Sequence, residues 1–309
     1  MAASYDQVVL FGDSLFQGAA DTLEGFSFQA ALQKRKDDFH FSPEYTISSG
    51  SKLTDSIDCI RRLDVVNRGF SGWNTQDALR YLPEIIPAIG SDHTGPRLRY
   101  LLVLLGANDA CHPWSWPTQF CPPDEYKANL KAIIAHPHVA AHGAKVLLVA
   151  PPPLDETRIH QYDVVENGLD RLTRTAANSA AYSQLARDAA AEVPGTVLVD
   201  LQDALVKHAA AHTPGYDAAN RHHHNGKHSL LGYLDGNGGE GFRGHLGELV
   251  PDGLHLSGEA YRVFFDLVAP HIGPFPETLD EKDKKTEFAN PFPDWKILAT
   301  EREAKAGLQ

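Results

Sequence analysis

Five short apolar runs limit the fold of this chain more than any other feature of its sequence. They are residues 7–11 (QVVLF), 64–67 (DVVN), 101–105 (LLVLL), 145–150 (KVLLVA) and 196–201 (TVLVDL). Each is β-branched or leucine-rich, bounded by Gly, Pro or Asp, and continuous rather than alternating in apolarity. That pattern describes strands covered on both faces, as in a parallel sheet. Helical stretches fall between and after them. Residues 74–86 carry Ala78, Leu79, Leu82 and Ile85 near helical spacing, 124–134 and 172–191 are rich in helix formers, and 258–268 closes the series. Strand alternating with helix predicts an α/β fold, a three-layer α/β/α sandwich.

The rhythm breaks twice, at residues 36–60, with a serine–glycine centre, and at 212–249, rich in Gly and His. Both read as insertions or long surface loops, and the second is placed to cover a site formed by the residues that follow it. Residues 1–275 read as one domain with these insertions, and 276–309 as a tail in which Phe292-Pro293-Asp294-Trp295 is suited to pack back on the domain.

Composition narrows the partners. Of 309 residues, 42% are hydrophobic and 22% charged, a globular balance. The net charge of −12 disfavours nucleic acid and anionic membranes and leaves a small neutral molecule as the expected substrate. Three cysteines, Cys59, Cys111 and Cys121, with no CxxC, suggest neither a disulfide framework nor a zinc ribbon. No basic n-region, signal-like apolar stretch or membrane span is visible, so the expected location is cytoplasmic. The reading leaves homo-oligomerisation open.

Chemistry-bearing residues cluster at the carboxyl ends of the predicted strands, where α/β folds bind ligands. Ser14 follows the first run in Phe11-Gly12-Asp13-Ser14-Leu15. Asn67-Arg68-Gly69-Phe70-Ser71-Gly72 follows the second, and Gly106-Ala107-Asn108-Asp109 the third. Near the other end of the chain stands Asp252-Gly253-Leu254-His255. A serine nucleophile needs a base to take its proton and a carboxylate to orient that base, and Ser14, His255 and Asp252 supply all three. The Gly69 N–H and the Asn108 amide are neutral donors suited to an oxyanion. Each segment alone also reads as a turn or a cap. The GxSxG elbow of α/β-hydrolases is absent.

FGDSL, the NRGFSG glycine, the GAND asparagine and DGLHLS, in this order, resemble the blocks of the SGNH (GDSL-type) hydrolase superfamily, over roughly residues 7–268. The resemblance implies a flavodoxin-like sandwich with five parallel strands. It implies Ser14 as nucleophile, His255 as base and Asp252 as its orienter, with an oxyanion hole made of the Ser14 and Gly69 N–H groups and the Asn108 amide. It implies a carboxylic ester hydrolase working without a cofactor; a thioesterase, carbohydrate deacetylase or acyltransferase would use the same groups. NRGFSGWNT, LLGANDA, the 124–130 helix, PPPLDE and DGLHLS further resemble the isoamyl acetate-hydrolysing esterase branch, which implies small or medium-chain esters.

Other features are set aside or left open. His222-His223-His224 with His228, and His208 with His212 at helical spacing, show no carboxylate partner in the sequence, so no metal is expected. Trp114 and Trp116 either line a substrate pocket or anchor a Pro-rich loop. Asp13 reads as structural.

Overall fold

The five apolar runs become β1 (Asp6–Gly12), β2 (Leu63–Gly69), β3 (Leu98–Leu104), β4 (Lys145–Ala150) and β5 (Val197–Asp200). They pair in parallel throughout, in the order β2-β1-β3-β4-β5. This computed structural model describes residues 5–23, 25–34, 59–60, 62–90, 95–115, 118–216, 231–234, 241–273, 275, 298–301 and 304. Most of the 36–60 insertion, the centre of the 212–249 insertion, His222–His224, His228, Trp116 and Phe292–Trp295 lie outside the described residues.

Helices follow in chain order: α1 (Ser14–Gln17), α2 (Phe28–Gln33), α3 (Thr75–Ile85), α4 (Pro123–Ile134), α5 (Pro137–His142), α6 (Glu156–His160), α7 (Ala176–Glu192), α8 (Leu201–His212), α9 (Leu246–Leu249) and α10 (Gly258–Val268). Successive strand residues point to opposite faces, and each face has its own core. Val8, Leu10, Leu102, Leu104, Leu147 and Val149 pack with residues of α1, α2, α8 and α10. Val9, Phe11, Leu101, Val103, Val146 and Leu148 pack with residues of α3, α4 and α7. Apolarity is continuous along the central strands β1, β3 and β4 because both faces are covered, which is the three-layer arrangement expected, while the edge strands expose Asp64 in β2 and Leu198 in β5.

Two boundaries differ from expectation. β3 starts earlier than its apolar run, because Leu98 pairs with Gln7 across a register shift and Tyr100 with Val8. The helix predicted over 172–191 begins only at Ala176. Thr173 is held out of it by Asp163, whose Oδ2 accepts from the Thr173 N–H (2.6 Å) and hydroxyl (2.7 Å), and Thr175 caps the helix by accepting from the Asn178 N–H. Among the described residues no helix is long and apolar enough to cross a membrane.

β1 lies between β2 and β3, so the chain winds one way from β1 to β2 and then crosses back past β1 to β3, reversing its direction along the sheet. The crevice at the carboxyl ends of these strands is the place where such sheets take ligands.

Candidate active site

Ser14 is the first residue of α1, directly beyond the end of β1. Gly12 permits the close approach there, since a Cβ would lie 2.1 Å from the Leu104 carbonyl oxygen. Asp13 caps the helix through its Oδ1, which accepts the Leu15 N–H at 2.9 Å. Asp13 is fully buried and its Oδ2 has no hydrogen-bond partner among the described residues; burial pushes its pKa up to about 7. Its role in the fold is the structural one expected. The Ser14 N–H makes no hydrogen bond among the described residues, as befits a first-turn donor.

Asp252 and His255 meet Ser14 across a sequence separation of most of the chain. Asp252 Oδ1 accepts the N–H groups of Leu254 (2.9 Å) and His255 (2.7 Å), which curls the turn so that both side chains face one way. Gly253 takes the positive φ this turn requires, +93°. Asp252 Oδ2 then lies 2.6 Å from His255 Nδ1, and His255 Nε2 lies 2.9 Å from Ser14 Oγ. The Asp252 bond raises the His255 pKa; burial opposes it and loses. For Asp252, burial raises and the His255 bonds lower, and the result is about 2. Asp252 therefore stays ionised while His255 carries a proton on Nδ1 and presents Nε2 to the serine. Both side chains are about half exposed, 52% and 46%, so the line opens to solvent.

This turn is tied down on two sides. The Asp155 N–H donates to the Gly253 carbonyl at 3.0 Å, and the buried Asp155 carboxylate pairs with Arg243, whose Nη2 also donates to the Pro251 carbonyl. From α10, the Tyr261 hydroxyl donates to the Leu15 carbonyl at 2.6 Å, fastening the histidine segment to the serine helix.

The expected oxyanion donors fare differently. Asn108 is buried, with one amide proton on the Trp73 carbonyl (2.9 Å) and its Oδ1 receiving Arg174 Nη2 (3.2 Å). The amide is held from both ends, and among the described residues its second proton has no acceptor and remains to donate. Gly69 is a correction: its N–H already donates to Asn67 Oδ1 at 2.8 Å. Glycine is required there for space, because a Cβ would lie 2.0 Å from the Gln17 nitrogen. Along the same turn, Phe70 N–H goes to Gly12 O, Ser71 N–H to Gln17 Oε1, Trp73 N–H to Phe70 O and Asn74 N–H to Asp77 Oδ2. Gly72, at φ +84°, is the one whose N–H has no partner among the described residues.

Sequence reasoning missed Arg174 and Gln119. Arg174 Nη2 donates to both Asn108 Oδ1 and Gln119 Oε1 (2.9 Å), and Gln119 Nε2 donates to the Gly72 carbonyl (2.9 Å). One guanidinium thus braces the asparagine and, through Gln119, the Gly72 peptide. No local motif announces this; only the tertiary position of the segment before α7 creates it. Trp114 packs as a loop anchor: its ring stacks on His112 at 4.2 Å, Arg171 lies over it at 4.8 Å, and its Nε1 donates to the Leu172 carbonyl.

The profile of the GDSL-like Lipase/Acylhydrolase family matches residues 10–263, which spans every element of this site. The chain belongs to that family. It is a carboxylic ester hydrolase. It is 33% identical over 212 residues to the isoamyl acetate-hydrolyzing esterase 1 homolog of Mus musculus, covering 67% of this chain and 70% of that protein. It is 25% identical over 271 residues to the isoamyl acetate-hydrolyzing esterase of Saccharomyces cerevisiae, covering 88% and 87%. Among solved structures, an acetyl xylan esterase superposes with a TM-score of 0.51 at 17% identity, over 86% of this chain and all of that one, which is a likeness of fold.

Proposed function

We infer that this hydrolase cleaves small neutral esters, of the acetate type, through an acyl-enzyme on Ser14. The observation that carries the reading is the unbroken line from Ser14 Oγ to His255 Nε2 and from His255 Nδ1 to Asp252, at 2.9 and 2.6 Å. His255 takes the hydroxyl proton as Ser14 attacks the ester carbonyl. The oxygen that gains charge is met by the Ser14 and Gly72 N–H groups and the second Asn108 amide proton. His255 then protonates the departing alcohol, activates water and returns the proton to Ser14 after deacylation. All three donors are neutral, so they favour an oxygen whose charge develops during reaction over a substrate that arrives charged. A net charge of −12 agrees with a neutral substrate, and the names of the mouse and yeast relatives agree with an acetate ester.

The test is Ser14→Ala assayed on p-nitrophenyl acetate, butyrate and octanoate. Wild type should turn over acetate and butyrate best, and the variant should lose at least about 10⁴-fold in kcat. Retained turnover in the variant would remove Ser14 from the mechanism. A preference for octanoate, or for acyl-CoA over oxygen esters, would move the substrate to lipids or thioesters while leaving the triad intact.

A further inference from the structure

The 212–249 insertion is bounded by histidines, and the fold brings them to a carboxylate that the sequence keeps apart. His208 lies in the last turns of α8, His245 immediately precedes α9, and Glu259 lies in the first turn of α10. His208 Nε2 is 2.8 Å from Glu259 Oε1, and His245 Nε2 is 3.0 Å from the same oxygen. One donor atom from each of the three lies within 4.8 Å of the others. The expectation that His208 lacks a carboxylate partner is thereby corrected.

We propose that His208, His245 and Glu259 form a site for a divalent transition-metal ion, zinc by its donor set, that clips the two ends of the insertion to α10. Two imidazoles and one carboxylate suit zinc, with bonds of about 2.0–2.2 Å, which puts tetrahedral donor atoms about 3.4 Å apart. The two distances to Glu259 Oε1 need to open by only a fraction of an ångström. Binding requires each Nε2 to give up its proton, by shift of the tautomer to Nδ1 or by release to solvent, so its lone pair can face the ion.

The donors are held before any ion arrives. The Thr213 hydroxyl donates to the Ala209 carbonyl (2.7 Å) and accepts the His245 N–H (2.9 Å), pinning the His245 backbone to the end of α8. The His212 ring stacks on His208 at 4.2 Å, and its Nδ1 lies 2.8 Å from the His208 carbonyl oxygen. The three side chains are between one-fifth and one-half exposed, so an ion has a path in and a water can complete the coordination. The site lies outside the serine line, but Glu259 follows closely on His255 through Ser257, the cap of α10. The clip therefore acts on the stability of the insertion and of the start of α10, not on bond cleavage. Joining chain ends that close a long loop is where such a clip stabilises most.

The test is calorimetric titration of Zn²⁺ into the chelator-washed protein, alongside Glu259→Gln, His208→Gln and a triple His222→Asn/His223→Asn/His224→Asn variant. Wild type and the triple variant should bind one ion with equal affinity and gain thermal stability, while the first two variants lose at least about tenfold in affinity. X-ray absorption at the zinc edge of the wild type, which requires no variant to fold, should show imidazole scattering. Equal affinity in Glu259→Gln and His208→Gln, loss confined to the triple variant, or oxygen-only coordination would each overturn the proposal.

Discussion

The line from Ser14 to Asp252 and the brace of Arg174, Gln119 and Asn108 serve one crevice but are built in different ways. The line consists of two short segments, each shaped by its own local bonds. Asp13 caps the serine helix, and Asp252 curls the histidine turn. The brace has no such local logic. Arg174 follows Thr173, which Asp163 holds out of α7, and from there it bonds Asn108 and Gln119, residues distant in sequence. The proposed proton-transfer line is encoded in contiguous motifs; the positioning of the proposed oxyanion donors is encoded in packing.

Breaking the line should cost most. Asp252→Asn removes the charge that orients His255 and stabilises its protonated form, and kcat should fall by about 10³–10⁴ with little change in KM. Asn108→Ala removes one neutral donor and should lower kcat by about 10²–10³. Arg174→Ala leaves all reacting groups in place but frees the asparagine amide, and kcat should fall by roughly 10- to 100-fold at nearly constant KM. Arg174→Lys should not restore it, because a single ammonium does not reproduce the rigid guanidinium whose Nη2 reaches both oxygens while its Nε donates to the Ala107 carbonyl. If Arg174→Ala instead raised KM alone, the brace would be a substrate contact and the contrast would fail.

The smallest effect is a displaced pH profile. In the proposed mechanism His255 acts as a base only when Nε2 is unprotonated, and Asp252 holds its pKa above the ordinary value. The acid limb of kcat/KM should therefore lie above about pH 6.5, with activity lost as pH falls through it. In Asp252→Asn the charge is gone, so the residual activity should have its limb at lower pH. An unmoved limb would mean that another group sets it.

These contrasts follow what the sequence made legible. Continuous apolarity in five runs predicted a parallel sheet because a strand covered on both faces feeds two cores, and Val8 and Val9 of β1 do enter different ones. The serine, histidine and aspartate were legible because each sits in a motif with its own turn. Gly69 was not: its neighbours in sequence suggested a donor, while the fold spends its N–H on Asn67 and leaves the N–H of Gly72 without a partner among the described residues. Glycine in such a motif serves either close approach or a positive φ, and only the folded backbone separates the two. The His208–Glu259 pairing was equally hidden, since its partners come from α8 and α10.

Trapping the covalent intermediate tests the central claim most directly. The enzyme, quenched in acid during steady turnover of p-nitrophenyl acetate and digested, should carry one acetyl group on the peptide containing Ser14, and Asn108→Ala should carry less of it at the same time point. An acetyl group on any other residue, or none on an enzyme that is turning over in a burst, would contradict the account.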